Sequence, residues 1–341
     1  MAEQPLFNAR VHPGLKGFLR ALNEALAADA HRGLDSTTRQ LRKALSTMTA
    51  KFGPEPVELA RVHDAQFPAP RRMVPVRCYS AAPDRAAPVC VYLHGGGHLA
   101  GSVAVYDNIC RHLAHASGAL VVSVEYRLAP EAPYPAGLKD ARSVLAGVLP
   151  WLRAEGWNIN GKLFVAGDSA GGALSATLAC EVSRDEKLPA LDGVLLIYPS
   201  LDYTLSQPSV DRNGHGLLLE RGRIEWYFNR YLPAGKDRRA ASPLFMDFEA
   251  ARFPPVWMVT AGLCPLVDEA KLWHTRLRMA GVAVEELHFP SQIHAYLNLH
   301  KLVPEACEKT YASMADFIRR HDAKADADAD AGAGAGAEAT C

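Results

Sequence analysis

Three stretches of this chain hold residues that could open an acyl bond. The first is Gly167-Asp168-Ser169-Ala170-Gly171, a G-x-S-x-G placed between the apolar run Leu163 to Ala166 and the helically spaced stretch Ala173 to Val182. Small residues on both sides of Ser169 allow a turn sharp enough to lift its hydroxyl clear of a sheet. The hydroxyl then stands at a helix N-terminus, where partial positive charge favours a developing anion. The pentapeptide also arises in ordinary glycine turns, so its meaning depends on what accompanies it.

The second stretch is His94-Gly95-Gly96-Gly97, which closes the apolar run Val89 to Leu93. Three consecutive glycines expose backbone amides without side chains in the way, and such donors suit an oxyanion. Gly95, Gly96 and Gly97 are therefore read as the oxyanion hole, completed by the amide of Ala170 directly after the nucleophile. His94 is read as a prop for the loop. The third stretch is Phe289-Pro290-Ser291-Gln292-Ile293-His294, just beyond a strand pattern. A serine needs a base, and His294 falls on a loop that a parallel sheet would bring to the edge carrying the elbow. His288 lies inside that strand, while His274 and His300 have helical surroundings.

HGGG, then EYRLAPEAPYPAGLKD, GDSAG, SPLF and IHAYL follow one another in this order over roughly residues 55 to 320. In this the chain resembles the hormone-sensitive-lipase-like family of bacterial carboxylesterases. The resemblance implies an α/β-hydrolase fold, a helical cap, hydrolysis of esters with short to medium acyl chains through an acyl-enzyme, and no metal or organic cofactor. It departs from the family at the acid. The family begins D-P-L-x-D with its catalytic aspartate, and here the stretch is Cys264-Pro265-Leu266-Val267-Asp268. A thiol neither holds an imidazole tautomer as a carboxylate does nor offsets the imidazolium charge unless it is ionised.

Two readings remain at this point. In one, Asp268, a helical turn after Cys264, reaches back to His294, with Glu269 as a weaker substitute. In the other no carboxylate replaces the lost one, and the chain is a weakened esterase or a non-catalytic ligand binder, like the plant hormone receptors of the wider family that lack the histidine. Retention of both Ser169 and His294 favours the enzyme.

Composition narrows the partners. Lys plus Arg equals Asp plus Glu at 37 each, so no net field draws the protein to nucleic acid or an anionic membrane surface. That balance points to a small, roughly neutral partner; the N-terminus has no apolar run of signal-peptide length and no later stretch approaches a membrane span, which predicts a soluble cytoplasmic protein. The seven cysteines are odd in number and lack a C-x-x-C pair, arguing for reduced thiols and against zinc or a disulfide framework. A homodimer is left open.

The elements that must position these residues follow from periodicity. Helices are expected over residues 13 to 29 and from Ser36, as N-cap, to Lys51; they would form an N-terminal cap region, residues 1–54. Strands are expected at 57–62, 73–79, 89–93 and 120–124. Then helix 136–154, strand 163–166, helix 169–184, strand 193–198, strand 256–261, helix 266–280, strand 282–289 and helix 304–320 alternate. That rhythm predicts a mostly parallel twisted sheet flanked by helices within residues 55–321. Residues 203–252, with a helix over 220–231, interrupt the rhythm and are read as the second part of the cap. Residues 322–341 are of low complexity and expected to be disordered.

Overall fold

A computed structural model describes residues 10–31 and 37–334. At its centre is an eight-stranded sheet in the order β1-β2-β4-β3-β5-β6-β7-β8. The strands are β1 Arg61–Ala69, β2 Arg72–Ser80, β3 Ala87–Leu93, β4 Leu120–Val124, β5 Ile159–Asp168, β6 Gly193–Ile197, β7 Val256–Ala261 and β8 Val284–Phe289. The pairs β1/β2 and β2/β4 are antiparallel, and every later pair is parallel. The central strands are continuous apolar runs because helices cover both faces. Along β3, for example, Val89, Val91 and Leu93 enter one core while Cys90 and Tyr92 enter the other, the period of two that a pleated strand imposes.

Helices α3 Asp107–Ser117 and α10 Pro304–Gly334 pack on the Cys90 and Tyr92 face; α4 Ala136–Ala154, α5 Ala170–Arg184 and α9 Val267–Met279 pack on the other. Before the sheet come α1 Pro13–His31 and α2 Thr38–Phe52. Between β6 and β7 come α6 Ser209–Arg212, α7 Arg221–Tyr231 and α8 Arg238–Ala241. These two groups touch: Asn23 Nδ2 donates to the Gly216 carbonyl at 3.1 Å.

Several expectations move. The first strand is Arg61–Ala69 rather than 57–62, because as an edge strand it buries only Phe67 and carries little apolar pattern. Helix α3 was not anticipated, although Ile109, Cys110, Leu113 and Ala114 give it a buried stripe. Ser36 lies outside the described residues. Thr37 caps α2 instead, accepting from the Gln40 amide while the Gln40 side chain accepts from the Thr37 amide, a reciprocal capping box. The segment 322–341, expected to be disordered, continues α10 as far as Gly334, in keeping with alanine's high helix propensity; residues 335–341 lie outside the described residues. Among the described residues no helix is long and apolar enough to cross a membrane.

Candidate active site

Ser169 sits between β5 and α5 with φ 52° and ψ −115°, a conformation that disfavours any residue with a Cβ by about 1–3 kcal/mol. Surrounding bonds impose it. The Ser169 amide donates to the Ile197 carbonyl at 2.9 Å, and the Ser169 carbonyl accepts from the amides of Ala173 and Ser200, each at 3.0 Å. Gly171 is required because a Cβ there would collide with the Leu93 carbonyl at the end of β3. Local sequence thus makes the turn possible, and the neighbouring strands hold it.

His294 follows β8 on the expected loop, 6% exposed. Its Nε2 lies 2.9 Å from Ser169 Oγ. The loop is stitched to the end of β7: Gly262 N donates to Phe289 O at 2.8 Å, and Leu263 N to Gln292 O at 3.0 Å. The Tyr198 ring packs steeply tilted against the imidazole, with centroids 5.0 Å apart and planes at 65°. Burial pushes His294 down to about 3, so its ring is neutral and able to accept the serine proton at neutral pH.

The stitching delivers Cys264, not Asp268, to the far side of the imidazole. Cys264 Sγ lies 3.1 Å from His294 Nδ1 and accepts from the Leu266 amide at 3.3 Å. Asp268 is a correction to the sequence reading. The reach from 264 to 268 assumed one helix, but α9 begins only at Val267, so Cys264 to Leu266 form a turn and the two side chains do not share a face. Asp268 is bound instead by the Arg212 guanidinium, at 2.9 and 3.0 Å. Glu269 is fully buried and also turned away, its Oε1 accepting from the amides of Leu201 at 2.6 Å and Asp202 at 3.2 Å. Burial raises its carboxyl well above the usual range.

Desolvation also pushes the Cys264 thiol far above its ordinary range, so the group facing His294 is a neutral S–H. A carboxylate can only accept from Nδ1–H, which leaves Nε2 free for the serine proton. A thiol can equally donate to Nδ1, and the ring would then present Nε2–H to Ser169, the tautomer that cannot act as base.

The oxyanion loop also departs from expectation at one residue. The Gly95 amide donates to Asp168 Oδ1 at 2.8 Å, so it is committed inside the protein and not available to a substrate. The amides of Gly96, Gly97 and Ala170 have no backbone partner among the described residues. Asp168, the variable residue of the pentapeptide, was missed as a structural keystone. Its carboxylate is buried and also accepts from Tyr92 and Tyr106 hydroxyls, each at 3.0 Å, and burial raises it to about 6. The signal was an acid at the end of a run of otherwise apolar, buried strand. His94 props the loop as read: its ring stacks on Tyr126 at 4.4 Å, and Tyr126 Oη donates to the His94 carbonyl at 2.6 Å.

A model of the α/β hydrolase fold matches residues 90–298. The chain belongs to the α/β-hydrolase family, in its hormone-sensitive-lipase-like branch. The carboxylesterase NlhH of Mycobacterium tuberculosis is 37% identical over 251 residues, 71% of this chain and 77% of that protein. The carboxylic ester hydrolase LipN of the same organism is 34% identical over 250 residues, 71% of this chain and 65% of LipN's own length. Among solved structures, an ester-hydrolase from the metagenome of Lake Arreo superposes with a TM-score of 0.81 at 29% identity, covering 91% of this chain and 99% of that one. The gibberellin receptor GID1C of Arabidopsis thaliana matches a shorter stretch, 212 residues or 59% of this chain, at 34% identity. The relatives support an esterase over a non-catalytic receptor. Among the described residues, no group of three or more His, Cys, Asp and Glu side chains is placed to hold a metal ion.

Two expectations follow directly from this geometry. Asp268→Asn should leave kcat and KM within about twofold of the natural protein and lower stability by about 1 kcal/mol or less, since its partner is a half-exposed arginine. Steady-state kinetics and a denaturant titration check both halves; a loss of orders of magnitude in kcat would restore Asp268 to the triad.

The second concerns acid stability. His94, lowered to about 4, and His98 and His294, both lowered to about 3, are buried and neutral. Below pH 6.5 the unfolded chain binds protons that the folded chain refuses. Their contribution is therefore complete above pH 6.5 and lost progressively as pH falls from there towards 3. Asp168, raised from 3.8 to about 6, works in the opposite sense, favouring the fold as pH falls through 6. Glu269, Glu125 and Glu181, whose carboxyls burial also raises, act in the same sense as Asp168, while His288 and His300, which burial also lowers, add to the histidine side. The histidines titrate in the unfolded chain inside this window, so the thermal midpoint should drop between pH 7 and pH 5. A flat or rising midpoint in a melting series would contradict the assignment of these rings as neutral.

Proposed function

We propose that this chain hydrolyses short to medium acyl carboxylic esters through an acyl-enzyme on Ser169, using His294 as base and a neutral thiol, Cys264, in the acid's place. The observation that carries the reading is the 2.9 Å contact between Ser169 Oγ and His294 Nε2 at the strained elbow. Ser169 Oγ attacks the acyl carbon as Nε2 takes its proton. The carbonyl oxygen gains charge against the amides of Gly96, Gly97 and Ala170. His294 then gives the proton to the leaving alkoxide, and water, deprotonated in turn by His294, releases the acid.

Cys264 orients the ring but supplies no charge to the imidazolium formed on the way, so turnover is slow for the family. The substrate is small and neutral, in line with the zero formal charge, and no cofactor or nucleic acid takes part. The buried free thiols Cys78, Cys90, Cys110, Cys180 and Cys307 support a cytoplasmic setting. Residues 1–54 and 203–252 are read as the cap. Purified protein should cleave p-nitrophenyl acetate or butyrate faster than p-nitrophenyl palmitate. A preference for palmitate, or no turnover of any of the three, would overturn the proposal.

A further inference from the structure

Within the oxyanion loop the Gly96 carbonyl accepts from the Leu99 amide at 3.2 Å and the Ala100 amide at 2.9 Å, which closes a turn whose two glycines carry no side chain to lock it. Gly96 and Gly97 stand at φ 115° and 64°, and glycine moves through such regions freely. The inner end of the loop is fixed by the bond from Gly95 to Asp168. Its outer end, Gly97 to Leu99, is gripped from outside the sheet domain by two helices that lie far apart in sequence.

Helix α7 provides two of the grips from consecutive turns of one face. Tyr227 packs closely on Gly97: a Cβ built on that glycine would come within 2.7 to 3.0 Å of three carbons of the tyrosine ring. Four residues on, Tyr231 stacks face to face on His98, with centroids 3.7 Å apart and planes 4° from parallel. The spacing of four puts both rings one above the other, so neighbouring residues of the loop meet neighbouring turns of the helix. The buried imidazole of His98 is held from a second side by Tyr203, whose hydroxyl lies 3.2 Å from Nε2. Helix α2 provides the third grip. Arg42 donates from Nε to the Leu99 carbonyl at 2.8 Å, and Glu131 holds the same guanidinium at 2.7 Å.

We infer that Tyr231, through its stack on His98, is a positioning residue that sets the Gly96 and Gly97 amides for the oxyanion, with Tyr227 and Arg42 as its supports. The inference rests on the reading of those amides as oxyanion donors. It makes α7 part of the rate-determining geometry and not only a roof over the substrate. The stack needs an aromatic ring and not the phenol oxygen, so phenylalanine preserves it and leucine does not. Amides displaced from the oxyanion lose stabilisation that exists only in the transition state, which lowers kcat while leaving KM nearly unchanged.

The test compares the natural protein with Tyr231→Leu and Tyr231→Phe on p-nitrophenyl butyrate. Functional sites are counted by the stoichiometric release of p-nitrophenol from diethyl p-nitrophenyl phosphate, so that misfolded molecules are not scored. Tyr231→Leu is expected to lose about tenfold or more in kcat per titrated site, with KM within threefold, and Tyr231→Phe to stay within threefold in both. The inference is overturned if leucine leaves kcat per site unchanged, if the loss falls on KM, or if phenylalanine is as damaging as leucine. Failure of the underlying reading looks different: glycolic acid in place of Gly96, which exchanges that amide N–H for an ester oxygen without adding an atom to a turn that no Cβ fits, would then leave kcat per site at the natural value.

Discussion

Cys264→Asp is expected to raise kcat, by up to about four orders of magnitude, the loss that follows when a serine hydrolase triad is deprived of aspartate function. The position is already correct, since Sγ lies 3.1 Å from His294 Nδ1. What is missing there is charge and a fixed direction of hydrogen bonding. An aspartate would accept from Nδ1–H only, abolishing the unproductive tautomer, and would stabilise the imidazolium as Ser169 attacks. The Leu266 amide, 3.3 Å from the sulfur, would help to keep the new carboxylate ionised. KM should change little, because the gain belongs to the transition state. A variant that folds and titrates normally but is no faster than the natural protein would mean that the thiol already meets the needs of the reaction.

Ser169→Ala is the second large effect, and its size depends on the first. Triad members act as a unit. In a serine protease whose members have been removed singly, loss of the serine costs about 10⁶ in kcat and loss of the aspartate alone more than 10⁴. A chain that begins without the carboxylate has already forfeited the larger part. Ser169→Ala should therefore lower kcat by only about two orders in the natural protein, and by about six in the Cys264→Asp background. The two variants and their combination form a cycle whose coupling is read directly from kcat. Equal losses in both backgrounds would show that residue 264 does not act through Ser169 and His294.

Acid and elbow differ in how far they could be read from the chain. Ser169 and His294 were legible because each is announced by its own neighbours: small residues around the serine, strand and helix patterns on either side, and a histidine just past the last strand. The three glycines after His94 were legible as a loop, but not the fact that Gly95 spends its amide on Asp168. That bond joins residues 73 apart in sequence, across the ends of β3 and β5. The edge strand β1 was misplaced for a related reason: half-exposed residues leave little hydrophobic pattern, and pairing with β2 decides where it runs.

What the amino-acid sequence determined by itself was the set of parts and their order: a mostly parallel sheet, a sharp strand-to-helix turn at Ser169, a glycine loop after His94, a histidine on the loop beyond the last strand, and a cysteine at residue 264. These depend on local propensity and on periods of two and 3.6, which each segment carries independently of the others. Only the tertiary structure decided what faces the base. Helix α9 starts three residues after Cys264, so the thiol and Asp268 part company within one turn. The stitching of the β7 and β8 loops then turns the thiol to His294, while α6 brings Arg212 to Asp268. Contacts between elements distant in sequence set those directions, and no spacing within the chain encodes them.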